Sequence, residues 1–121
     1  MSHWLRCLVV VVAAAGAGGC WFPDDSPRIS IEFGMYPEMF EGLDVRIDGE
    51  VAGKLVKTGQ ATRVSFPVTP GMHEVTVDHP EIECQPRRVD AQLRGQKVRL
   101  MLELEERAST DGSLAQWIVF R

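Results

Sequence analysis

Strict alternation of apolar and polar residues is the feature that most constrains how this chain folds. Successive side chains of a strand point to opposite faces of a sheet, so a period of two predicts strands that bury one face. Six segments have this period and a seventh is apolar on both sides. The seven segments are residues 29–33, 43–47, 64–68, 74–78, 89–93, 98–104 and 114–120. No segment has convincing helical periodicity, so an all-β chain is predicted.

Turn signals separate several of these segments. Asp48-Gly49, Pro70-Gly71 and Asp111-Gly112 each place a glycine where a tight connection needs a positive φ. About seven short strands joined by such turns are typical of an antiparallel β-sandwich. We therefore predict a single small β-sandwich domain over residues 28–121, following an N-terminal signal peptide.

Residues 1–19 have the three-part layout of a secretory signal peptide. One cation, Arg6, precedes the apolar run 7–17, and small residues follow that run. The run stops well short of the ~20 apolar residues that a membrane-spanning helix needs. We predict that this segment directs export and is then removed.

The residues Ala17-Gly18-Gly19-Cys20 resemble the lipobox of bacterial lipoproteins, although that family usually has leucine where this chain has alanine. In the family the cysteine carries fatty chains such as palmitate and becomes the new N-terminus. The resemblance implies a lipid anchor on Cys20, a tether over residues 20–27 and attachment to a bacterial membrane on its periplasmic or outer side. The alternative is ordinary signal cleavage, which leaves Cys20 free or bonded to Cys84.

The region 44–104 resembles the PEGA-type repeat of bacterial envelope proteins, a transthyretin-like β-sandwich module. Residues 45–49 match its opening strand and Asp-Gly turn, residues 70–77 match its Pro-Gly-x-His turn and following strand, and residues 98–104 match its closing strand. The chain has Lys54-Leu55 where the family commonly has Thr-Pro. The resemblance implies a non-catalytic module that acts as a spacer or adhesive unit.

Candidate chemistry is sparse. After removal of the signal peptide the imidazoles are His73 and His79, and neither belongs to a recognisable nucleophile signature. On an extended strand the two rings lie roughly 20 Å apart, too far to share one metal ion. A site built from His79, Glu81 and Cys84 is the one metal arrangement that the spacing allows. We predict no enzyme activity, no metal site and no cofactor.

The charge pattern gives no sign of nucleic-acid binding. The chain has a formal net charge of −4, and loss of Arg6 with the signal peptide makes the mature part more acidic. No basic stripe with interleaved aromatic residues is present, so a polyanion would be repelled.

The candidate contact residues lie in two places. Met35, Tyr36, Met39 and Phe40 occupy the connection after the first strand, where Pro37 favours a helical turn. They either cap one end of the sandwich or present an apolar patch to an envelope protein. Trp117 is the second exposed-aromatic candidate.

The sequence therefore predicts a membrane-anchored, non-catalytic envelope lipoprotein that binds a protein partner or acts as a spacer. One alternative is a carbohydrate or peptidoglycan binder that uses Tyr36 and Trp117. Another is a lipoprotein subunit of a secretion or pilus assembly, in which residues 114–120 add a strand to a partner's sheet.

Overall fold

The segments with two-residue periodicity form strands in the computed structural model, which describes residues 23–121. The nine strands of this part are β1 (Arg28–Glu32), β2 (Asp44–Ile47), β3 (Glu50–Lys54), β4 (Arg63–Pro67), β5 (Gly71–Asp78), β6 (Glu83–Cys84), β7 (Arg87–Ala91), β8 (Lys97–Ala108) and β9 (Leu114–Phe120). A short helix, α1 (Pro37–Phe40), follows β1. The seven predicted strands are present, and β3 and β6 are additional.

The strands form two sheets, which confirms the predicted all-β sandwich. One sheet has the order β4-β1-β8-β9-β6, and the other has the order β3-β2-β5-β7. Most pairings are antiparallel, but β1 pairs in parallel with β8 and β6 pairs in parallel with β9. The five-stranded sheet is therefore mixed, with two antiparallel and two parallel pairings, whereas every pairing in the four-stranded sheet is antiparallel.

The inner faces of the two sheets form the core. The fully buried side chains include Ile29 and Ile31 of β1, Val75 of β5, Leu102 of β8 and Ile118 of β9. Their burial follows directly from the alternation in sequence, because each lies on the inward face of its strand.

The sheets also meet at one side, where β3 faces β4. A Cβ atom placed on Gly53 would lie 2.7 Å from Cε1 of Phe66, so the phenyl ring packs directly on the glycine backbone. Only a residue without a side chain leaves room for this approach.

Strand register defines two ends of the sandwich. Arg28 lies opposite both Pro67 and Lys97, and Gly71 lies opposite Ala91. The connections 68–70 and 92–96 and the Asp48-Gly49 turn therefore lie at the end where β1 begins, which we call the proximal end. The connections 33–43, 55–62, 79–82 and 109–113 lie at the other end, which we call the distal end.

Residues 25–27, predicted to be part of the tether, pack on the domain instead. The Gly95 N–H donates to the Asp25 carbonyl oxygen at 2.7 Å, and the Val68 N–H donates to the Pro27 carbonyl oxygen at 2.9 Å. Ser26 and Pro27 are buried. The chain is thus fixed to the proximal end from Asp25 onward.

Candidate interaction surfaces

The β2–β3 turn is held to the start of β5 by a buried histidine. Asp48 and Gly49 have φ values of 56° and 85°, as the Asp-Gly signal predicted. The Asp48 carboxylate accepts a hydrogen bond from the Glu74 N–H at 2.9 Å and contacts Nδ1 of His73 at 2.6 Å. Nε2 of His73 lies 2.6 Å from the Thr69 carbonyl oxygen, an acceptor, so Nε2 carries a hydrogen.

His73 is therefore a structural link between two connections. Its side chain is 8% exposed, and both ring nitrogens are engaged. An open depression of about 490 Å³ adjoins it, lined by Asp48, Gly49, Met72, His73, Glu74 and Arg88.

The second histidine organises the loop before β6. Nδ1 of His79 accepts the N–H groups of Glu81 and Ile82 at 3.0 and 3.1 Å. The Cys84 thiol accepts the Val77 N–H at 3.4 Å, and burial raises its pKa. Within residues 23–121, no three histidine, cysteine or acidic side chains come together as metal ligands. The proposed His79–Glu81–Cys84 arrangement is therefore not formed, because His79 directs Nδ1 at the backbone.

The connection after β1 divides between core and surface. Phe40 is fully buried and Met39 packs against the core, whereas Met35 is 54% and Tyr36 is 38% exposed. The helical turn predicted after Pro37 is α1, and its last two residues, Met39 and Phe40, face the core. The rings of Tyr36 and Phe40 meet edge to face, with centroids 6.2 Å apart. Phe40 caps the core, and Met35 and Tyr36 remain available for contact.

A further apolar side chain lies beside this connection. Val56 is 46% exposed and follows Leu55, whose N–H donates to the Leu43 carbonyl oxygen at 2.9 Å. The Leu55 carbonyl in turn accepts the Gly42 N–H at 2.7 Å. Val56 was not predicted as a contact residue, because residues 55–62 have no hydrophobic periodicity that indicates which side chains face outward.

Trp117 is half-buried on the outer face of the five-stranded sheet. The guanidinium of Arg107 lies 5.1 Å from the ring centroid, and its Nε also donates to Glu105 at 2.6 Å. A sugar that stacked on this side of Trp117 would have to displace Arg107. The ring is thus occupied by an intramolecular cation–π contact.

The apolar run at β9 is an interior strand. It pairs with β8 from Leu114 to Phe120, and with β6 at Trp117 and Ile118. Its last three residues are buried, whereas Leu114 is 67% exposed. Addition of residues 114–120 to a partner's sheet stays a prediction, although β6 already covers the side of β9 away from β8 at Trp117 and Ile118.

The outer face of the four-stranded sheet is a charged ladder. Lys54 binds Asp44 and Arg46 binds Asp78, each at 2.7 Å. The two aspartates lie opposite each other across β2 and β5, so the basic side chains offset their repulsion. These pairs are exposed and each contributes little to stability. The face is polar, which makes it a poor apolar docking surface.

A comparison of the chain with models of protein families and with curated proteins finds no match. Within the described residues, no helix has the length and apolar character needed to cross a membrane. Cys20 and the signal segment 1–19 lie outside the described residues.

Proposed function

We propose that this protein is a non-catalytic envelope lipoprotein whose β-sandwich is anchored at one end and contacts a protein partner with the other. The difference between the two ends of the sandwich carries the proposal. The chain joins the body at the proximal end, whereas Met35, Tyr36 and Val56 are exposed at the distal end. An anchored molecule with this arrangement presents these three side chains away from the membrane.

The short path between Cys20 and the domain supports anchoring close to a surface. Asp25 is fixed to Gly95, so residues 21–24, or five Cα–Cα steps, separate the proposed acylation site from the body. Fully extended, they span at most about 18 Å. Two or more fatty chains on Cys20 would hold the domain stably within that distance of a bilayer.

The position of Cys84 argues against a disulfide with Cys20. Cys84 pairs with Ile118, which lies opposite Leu104, seven residues along β8 from Lys97. Seven residues of strand correspond to about 23 Å along the sandwich. A disulfide joins α-carbons no more than ~7 Å apart, so this bond would need the segment before Asp25 to be almost fully extended. The Ser26 N–H instead donates to the Pro23 carbonyl oxygen at 3.1 Å, which folds residues 23–26 into a turn. Acylation of Cys20 is therefore favoured over the alternative.

The PEGA-like residues agree with a module of this kind. Asp48 and Gly49 make the tight turn, and His73 of the Pro-Gly-x-His signal binds that turn to β5. Both histidines are used to hold connections, so within residues 23–121 neither is paired with a serine or cysteine nucleophile. These contacts give both histidines structural roles, which supports a module that acts by surface binding.

Mass spectrometry of the membrane-extracted protein tests the anchor. We expect a mature chain that begins at Cys20 and carries fatty acyl groups, and a Cys20→Ala variant that loses both processing and membrane association. A mature chain without acyl groups would overturn the proposal.

Site-specific photocrosslinking in cells tests the distal surface. A photoreactive residue at Met35 is compared with one at Met72, which is equally exposed at 52% but lies at the proximal end. We expect one discrete protein adduct from position 35 that is lost with Tyr36→Ser, and none from position 72. The same adduct from both positions, or an adduct that Tyr36→Ser leaves unchanged, would contradict a distal binding surface.

A further inference from the structure

The connection 92–96 displays an exposed leucine on a fixed turn. Leu93 is 69% exposed. The side-chain oxygen of Gln96 accepts the N–H groups of Gln92 and Leu93 at 3.0 and 2.9 Å, and the Gln96 N–H donates to the Leu93 carbonyl at 3.1 Å. The turn is thus pre-organised with its apolar side chain facing outward. A single exposed leucine is ordinary on a protein surface, so its meaning depends on what surrounds it.

The same turn is bonded to the segment that leads to Cys20. The Gly95 N–H binds the Asp25 carbonyl, and the Arg94 guanidinium forms an ion pair with the Asp25 carboxylate. Leu93 therefore lies beside the point where the chain leaves the domain. Any bilayer that holds Cys20 is close to this turn, because the four intervening residues limit the separation.

Charge is distributed unevenly around the proximal end. Arg28, Lys97 and Arg99 lie on the outer face of the five-stranded sheet, where Arg28 is opposite Lys97. Among the described residues, none of these three side chains forms an ion pair with an acidic group. The acidic side chains of the four-stranded sheet at this end are Asp48, Glu50, Glu74 and Asp90, and two more, Asp24 and Asp25, lie on the segment that leads to Cys20. The five-stranded side is thus the more attractive one for anionic headgroups.

We infer that the proximal end is a membrane-seating surface for an anionic bilayer. Leu93 enters the boundary between headgroups and acyl chains, and Arg28, Lys97 and Arg99 face the lipid phosphates. The domain tilts toward its five-stranded sheet, since that side carries the unpaired basic groups. The inference rests on the proposed acylation of Cys20, which brings the surface to the bilayer; the seating then fixes the orientation of the domain.

Fluorescence from two matched positions tests the seating. The full-length acylated protein, carrying Cys84→Ser, receives a cysteine at Leu93 or at the distal Met35, and each is labelled with an environment-sensitive dye. The labelled proteins are reconstituted in vesicles of phosphatidylethanolamine and phosphatidylglycerol, with and without brominated acyl chains. We expect a blue shift and bromine quenching at position 93 and neither at position 35. An unshifted, unquenched dye at position 93 would overturn the inference, as would equal quenching at both positions.

Two lysine substitutions test the role of charge. Lys97→Gln removes a basic group from the seating surface, and Lys57→Gln removes one from the exposed distal connection 55–62. We expect Lys97→Gln to weaken quenching at position 93 in anionic vesicles and Lys57→Gln to leave it unchanged. Equal effects of the two substitutions would contradict a directed seating.

Flotation with the vesicles and the acylation state of Cys20, determined by mass spectrometry, are measured on the same samples. The two measurements distinguish failure of the seating from failure of the anchor. Acylated protein that floats but shows no contact at Leu93 overturns the seating and leaves the anchor in place. Protein without acyl chains that does not float overturns the proposed function itself.

Discussion

Replacing His73 with alanine tests whether the buried ring holds two connections together. The ring makes contacts of 2.6 Å to both Asp48 and Thr69, and it is 8% exposed. Loss of the bond to the Thr69 carbonyl costs about 1 kcal/mol. Loss of the contact with Asp48 costs about 0.5–1 kcal/mol, because that carboxylate is half exposed and is rehydrated. The cavity left by the ring adds about 1 kcal/mol.

We therefore expect His73→Ala to lower the free energy of unfolding by about 2–3 kcal/mol. For a domain of this size the change corresponds to a fall of roughly 10–20 °C in Tm. Urea denaturation and thermal unfolding followed by circular dichroism measure it. A loss below about 0.5 kcal/mol, the usual range for a surface substitution, would refute the structural role assigned to the ring.

Asp48→Asn provides the matched control. Asparagine tolerates the left-handed backbone at this position and keeps an oxygen that can accept the Glu74 N–H, so the turn survives while the carboxylate is lost. We expect Asp48→Asn to lower the free energy of unfolding by a smaller amount, about 0.5–1 kcal/mol. We also expect His73→Ala to lower it less in the Asp48→Asn background than in the wild-type protein. If the double substitution lowered the free energy of unfolding by the sum of the two single effects, the two side chains would not act together.

Three further predictions concern packing, pH and thiol reactivity. Gly53→Ala should lower the free energy of unfolding by about 1–3 kcal/mol in urea titrations, because the new methyl group would overlap the facing phenyl ring. Hydrogen bonds from Ser109 and Ser113 hold the pKa of Asp111 well below its ordinary value of 3.8. The hydrogen bonds to the Asp111 carboxylate should therefore stabilise the turn fully above about pH 4, and this stabilisation should be lost as the pH falls further. NMR titration of the Ser113 amide measures the loss. Burial raises the pKa of Cys84, so its thiol should react slowly with a thiol reagent in the folded protein and rapidly in urea.

The period of two was sufficient to find most of the strands but not their neighbours. Alternation reports which side of a segment is buried, and the inward residues of β1 and β8 confirm it. It carries no information on strand direction, so the parallel pairing of these two strands was not predictable. β3 was missed because its residues are mostly exposed, and β6 because it is only two residues long.

The candidate contact residues were found as a group but could not be sorted from sequence. Met35, Tyr36, Met39 and Phe40 are all large and apolar, and composition does not say which of them points inward. The short helix settles this by turning Phe40 into the core. Docking of residues 25–27 was equally hidden, because it depends on backbone hydrogen bonds that proline, serine and aspartate side chains do not reveal.

The fixed proximal end also limits which partners the distal surface can reach. The tether contributes at most about 18 Å, and the eight residues of β5 give the sandwich a length of roughly 26 Å. Under the proposed acylation of Cys20, Met35 and Tyr36 would therefore stand within about 45 Å of the bilayer even with the tether fully extended. Since residues 25–27 are bonded to the body, the domain cannot extend this reach by releasing more chain without breaking those bonds. With the proposed anchor, a partner of the distal surface would itself have to lie close to the same membrane, as another anchored protein or the near side of a larger envelope assembly.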